Sequence, residues 1–140
     1  MIGTNSSTMG YLAECLCALG TFEEVENWVG RSRATTDEYD IESHLAWRKP
    51  EALLRAREGD HAGAEAVAWE AVRLADDTDD PTTQADARTV LAETVRLAGR
   101  REDAIRVLQA AIELYQAKGN VLGAAHAHER LDALREPLTS

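Results

Sequence analysis

Apolar residues recur at spacings of three and four along nearly the whole chain, and seven helical segments account for them. The first, Tyr11 to Leu19, carries Leu12, Cys15, Leu16 and Leu19 and stops at Gly20. Thr21 opens the second, TFEEVENWV, with a capping box to Glu24 and a stripe of Phe22, Val25 and Val29 beside Trp28. The polar stretch ATTDEYD separates it from a third segment, about Ile41 to Glu58. Asp60 is positioned to cap a fourth, alanine-rich helix from His61 to about Ala75. After DDTDDPTTQ a fifth begins, with Asp80 as N-cap and Pro81 at the first helical position, where its missing N–H costs nothing. It runs to about Ala98 and offers Ala87, Leu91, Ala92 and Val95 for burial. Gly99 turns the chain into a sixth helix, Arg101 to Ala117, with Glu102 and Asp103 in its first turn and Lys118 near its end, both favourable to the helix dipole. Gly119 and Asn120 break it, and a seventh, Val121 to about Arg135, has no partner helix before Pro137. No segment alternates like a strand, so the spacing predicts an all-α fold.

Two of these hairpins repeat each other. Gly59, Ala64, Val67, Ala71 and Leu74 return forty positions later as Gly99, Ala104, Val107, Ala111 and Leu114. Self-similarity at one fixed step marks stacked helical hairpins, each burying its apolar face against its neighbours. Three antiparallel hairpins and a C-terminal helix are the expected count. Such an array presents a surface and seldom carries its own chemistry.

Aligned on the turn glycine, the third hairpin reads Leu91, Ala92, Val95, Gly99, Ala104, Leu108, Ala111, and the second keeps Ala52, Gly59, Ala64, Ala68 and Ala71. The first keeps Leu12, Ala13, Leu16 and Gly20, with Val25 and Ser32 in place of the usual alanines; the last helix keeps Leu131, with Asp132 replacing a small residue. These residues resemble the tetratricopeptide repeat, which sets an apolar–small–apolar pattern on its first helix and Ala–apolar–Ala on its second. The forty-residue step exceeds the plain repeat of about 34. With the strings LAETVRLAGRREDAIRVLQAAIELYQAKGN and EAVRLADDTDD, it is similar to the C-terminal helical repeats of large bacterial signalling ATPases, including those joined to nucleotide cyclases or DNA-binding regulators. The resemblance covers about Tyr11 to Leu134. It implies a short right-handed superhelix, and, as the ATPase and cyclase motifs lie outside this stretch, no catalytic residue.

The second hairpin departs from the pattern. Pro50 falls inside its first helix, where it removes a backbone hydrogen bond and costs about 3 kcal/mol. Glu51 and Arg55 stand where the family is apolar, so Leu45, Trp47, Leu53 and Leu54 are expected to bury a rotated face. Two geometries satisfy this: a helix kinked at Pro50, which we favour, or one that starts there after a separate turn.

Composition narrows the partners. The 140 residues suit one domain, residues 11–136, with residues 1–10 read as a disordered or cut lead and 137–140 as a tail. At 44 % apolar but only 5 % aromatic, the core has to be built of Ala, Leu and Val, whose small members let helices approach closely. A formal charge of −10 disfavours nucleic acid and anionic membranes, which are held through Lys and Arg, and favours basic or mixed-charge protein partners. No apolar run approaches the roughly 20 residues of a membrane span, and the start, MIGTNSSTMG, is not a secretory leader. Cys15 and Cys17 point apart around a helix, a poor disulfide geometry, and read as reduced thiols in a cytoplasmic protein.

Motifs for chemistry are missing. His126 and His128 are two apart, whereas a helical ligand pair needs three or four, so no metal is expected. Asp76, Asp77, Asp79 and Asp80 lack the central Gly and closing Glu of a calcium loop and read as a capped linker. No phosphate loop, G-x-S-x-G or HExxH occurs, so neither cofactor nor catalysis is expected.

What remains is the groove. By the family's positions, the first helices of the hairpins line the concave side with Glu14 and Cys17, then Lys49, Leu53 and Arg57, then Thr89, Glu93 and Arg96. Lys49 lacks the asparagine of a carboxylate-clamping repeat, Leu53 standing there instead. The reading is a protein or peptide partner for an interaction module in a larger signalling or transcription-regulatory protein. The alternative is a homodimer, with Leu122, Leu131 and Leu134 of the unmated last helix needing cover.

Overall fold

The computed structural model describes residues 22–34 and 41–136. The first predicted helix, both cysteines, Glu14, the Thr21 capping box and the two tails lie outside those residues. Six α-helices make up the described chain: α1 (Phe22–Ala34), α2 (Ile41–Arg57), α3 (His61–Asp76), α4 (Pro81–Leu97), α5 (Arg101–Lys118) and α6 (Val121–Arg135). Each packs mainly on the next in sequence, and α2 also lies against α4. The molecule is all-α, as the spacing of apolar residues predicts.

The ends of these helices follow from their punctuation. Gly59, Gly99 and Gly119 adopt φ of 90°, 84° and 77°, a region in which a Cβ would meet the following carbonyl. At each, the glycine N–H donates three residues back and the next N–H five residues back: Asp60 to Arg55 (2.9 Å), Arg100 to Val95 (3.1 Å) and Asn120 to Tyr115 (2.8 Å). These paired bonds close the last turn and reverse the chain. Asp60, Asp80 and Asn120 then start the following helices, their side chains accepting from the backbone N–H of Gly63, Thr82 and Gly123. Asp76 meanwhile pairs with Arg88 at 2.8 Å, so the acidic linker is spent on capping and on joining α3 to α4.

Two apolar clusters fill the interior. Ala52, Ala68, Val72, Leu91 and Val95 belong to the first, between α2, α3 and α4. Ala92, Leu108, Ile112, Tyr115 and Leu131 belong to the second, between α4, α5 and α6. Helix α4 is therefore common to both. Alanines 64 and 104, forty residues apart, are both fully buried, as are Ala71 and Ala111. The short side chains sit where helix axes come together. Leu131 is buried within the chain and Leu134 is half-buried beside it, so only Leu122 of the three leucines expected to need outside cover stays exposed.

Helix α2 continues through Pro50, which is buried, and the alternative of a helix starting there is set aside. Leu45, Trp47 and Leu54 are buried and Leu53 half-buried, which is the rotated face. Trp47 is covered by two guanidinium groups, Arg48 at 4.2 Å and Arg33 of α1 at 5.0 Å from the ring centre. Arg33 also approaches the half-buried Glu51 at 3.8 Å, and Arg55 pairs with the same carboxylate at 3.3 Å. Arg33, shared between the Trp47 ring and the Glu51 carboxylate, thus joins α1 to α2.

Candidate functional site

Thr82, Asp86, Thr89, Glu93 and Arg96 follow one another around α4 at spacings of three and four, so they share one stripe of the helix. Ala85, Ala87, Val90, Leu91, Ala92 and Val95 of α4 enter the two clusters, Gln84 and Arg88 bond to the loop and α3, and this polar stripe lines a groove. Opposite it stands α6. One stretch of the groove is lined by Thr89, Glu93 and Arg96 on one wall and Arg130, Ala133 and Leu134 on the other, around a cavity of about 210 Å³. Ala92 and Leu108 form its apolar floor. A second stretch, about 290 Å³, runs between Thr82 and Asp86 and the start of α6 at Leu122 and His126. Thr89 and Arg130 line both stretches, so they form one continuous groove.

Each carboxylate of the stripe already has a donor. Arg96 donates to Glu93 from Nε at 3.0 Å and from Nη2 at 2.5 Å. Burial alone would raise the Glu93 carboxyl, but the Arg96 hydrogen bonds and the charges of Arg96, Arg130 and Arg57 outweigh it and hold the group below the usual carboxylate range. So held, Glu93 is a weak proton acceptor. Tyr115 of α5 donates its hydroxyl to Asp86 across the second stretch. Burial first, and then that bond, push the Tyr115 phenol well above its ordinary value, so it stays protonated. Thr89 Oγ1 donates to the Asp86 carbonyl at 2.7 Å, and Asn120 Nδ2 to Thr82 Oγ1 at 3.4 Å. Arg130 is different: it is exposed, and among the described residues it forms no hydrogen bond or ion pair.

Of the residues singled out in the sequence, Thr89, Glu93 and Arg96 come together on one groove wall. Arg57 is exposed at the end of α2, close enough for its charge to act on Glu93. Lys49 is only 8 % exposed. It lines a separate cavity of about 360 Å³ with Ile41, Leu45, Thr83 and Asp86, where α2 meets the first turn of α4. Leu53 is half-buried and packs on the first cluster rather than standing open to a ligand. Glu14 lies outside the described residues. Sequence reasoning missed Asp86, Tyr115 and Arg130. Asp86 was within reach, because it continues the stripe one turn before Thr89. The other two come from α5 and α6, and only the packing of those helices brings them to α4.

Among the described residues no helix is long and apolar enough to cross a membrane. Likewise, no three His, Cys, Asp or Glu side chains converge in a way that could hold a metal ion. The chain matches no protein-family model, and no curated protein is similar to it at a significant level.

Proposed function

We propose that this chain is a non-catalytic protein-interaction module of tetratricopeptide type, which receives an extended segment of a partner protein in the groove between α4 and α6. In this reading α2, α4 and α6 are the first helices of successive hairpins and line the concave side of a short right-handed superhelix, while α3 and α5 lie outside. The module works within a larger cytoplasmic signalling or transcription-regulatory protein, with neither cofactor nor metal. The observation that supports the reading is the stripe from Thr82 to Arg96, which lines one wall of a groove whose other wall is α6. At roughly 1.5 Å per residue, that stripe is about 21 Å long, room for about six residues of extended peptide.

Panning a random-peptide display library tests it. Selected peptides should bind the wild-type chain and lose binding to Thr89→Trp, which fills the groove at the point shared by its two stretches. Peptides that bind both proteins equally, or a library that yields none, would count against the module.

A second reading has its own observation. Val121 and Leu122 are 80 % and 68 % exposed at the start of α6, and Val121 borders a hollow lined by Ala124, Ala125 and His128. A second copy could cover them. Sedimentation at micromolar concentration decides: a concentration-dependent dimer abolished by Leu122→Glu supports self-association, and a strict monomer removes it.

A further inference from the structure

One stretch of the groove, lined by Glu93, Arg96 and Arg130, carries a charge opposite to that of the chain around it. The whole molecule bears −10, yet Glu93 feels Arg96, Arg130 and Arg57 together. Glu93 neutralises one of these, through both nitrogens of Arg96. Arg130 stands across from that pair, exposed and without an ion pair among the described residues. Beside it Leu108, Ala133 and Leu134 give the groove an apolar patch. An apolar patch next to an open guanidinium suits a segment with two kinds of side chain: one that removes apolar surface from water and one that supplies two acceptor oxygens.

Building on the binding-module reading, we infer that the α4–α6 groove selects an acidic segment. It sets an Asp or Glu carboxylate against Arg130 and lays a neighbouring aliphatic side chain over Ala133 and Leu134. A lysine at the same place would meet Arg130 while Arg96 already occupies Glu93, at a cost that like charges in a cleft impose. Net charge alone points to a basic partner, so the local arrangement reverses that expectation. It also limits how far the partner's acidity extends. Nucleic acid, or any long polyanion, would leave the groove and meet the acidic remainder of the surface, whereas a short segment with one or two carboxylates stays within reach of the arginines.

Two short fluorescent peptides, one alternating Leu with Glu and the other Leu with Lys, test this by anisotropy against the full chain. The Leu–Glu peptide should bind, weaken as salt is raised, and lose about tenfold or more in affinity to Arg130→Glu. Arg130→Lys should retain most of the binding, and Glu93→Gln should strengthen it by releasing Arg96. Arg130 is exposed, so circular dichroism and the thermal midpoint of both Arg130 variants should match wild type. Equal binding of the Leu–Glu peptide to wild type and Arg130→Glu, or no binding at all, overturns the inference. If the Leu–Lys peptide is the one that Thr89→Trp abolishes, the acidic preference is wrong while the groove remains a binding site. If nothing tested, library included, depends on Thr89, the module reading falls with it.

Discussion

Ala104 is 0 % exposed, in the first turn of α5 where that helix meets the cluster shared by α2, α3 and α4. A leucine there has nowhere to go without moving a helix, so Ala104→Leu should destabilise by about 1–3 kcal/mol. Leu91, among the largest fully buried side chains, poses the reverse case on α4. Its truncation to alanine leaves a cavity and should cost about 2–5 kcal/mol by chemical denaturation. Tyr115 joins burial to a polar contact, because its ring is in the second cluster while its hydroxyl reaches Asp86. Tyr115→Phe keeps the ring and strands the carboxylate, for an expected loss of about 1–3 kcal/mol. Its raised phenol makes the sign of the pH effect definite. The Tyr115 contribution is complete below the ordinary value of about 10 and is lost as pH rises through the higher folded value, so Tyr115→Phe should flatten the alkaline fall in thermal midpoint. Glu93 behaves oppositely. Its contribution is present above about 4.3 and disappears as acid takes the pH through its lowered folded value; the Glu93→Gln variant should therefore lose less stability on acidification than wild type.

At the scale of helices, local chemistry was enough to place most boundaries. Asp60 and Asp80 ahead of His61 and Pro81, and glycines 59, 99 and 119 behind their helices, are signals that act within four residues. A reader of the sequence needs no tertiary information to find them. Gly99→Ala tests one of them directly. With φ of 84° at that position and open space around it, the cost should be backbone strain of about 1–2 kcal/mol without any packing change. Gly123 is a different kind of glycine: a Cβ there would lie 2.6 Å from the Tyr115 ring, so it serves close approach between α5 and α6. Pro50 shows where local signals mislead. A proline reads as a helix boundary, yet α2 runs through it because both flanks are buried against α1, α3 and α4. The half-buried Glu51, held between Arg33 and Arg55, depends on a helix that no spacing in α2 announces.

At the scale of the molecule, the groove was half legible. Thr89, Glu93 and Arg96 lie on one helix, and the positions implied by the family resemblance grouped them. Tyr115 lies 29 positions from Asp86, and Arg130 faces α4 from two helices further along. Which residue of a neighbouring helix comes opposite which depends on crossing angle and rotation, and those are properties of packed pairs. The same limit applies to Lys49 and Leu53: the resemblance expects them on the groove, whereas Lys49 lines a separate cavity between α2 and α4 and Leu53 packs on the first cluster. Sharing of α4 by both clusters makes it the spine of the molecule and fixes the stripe on its third side. The claim on which the rest depends is that this stripe and α6 together form the binding surface. Amide chemical-shift mapping of the labelled full chain, titrated with a peptide chosen by its loss on Thr89→Trp, measures this directly. Shifts concentrated at Thr89, Glu93, Arg96 and Arg130 are the predicted result; shifts confined to α3 and α5, with α4 and α6 unmoved, would contradict it.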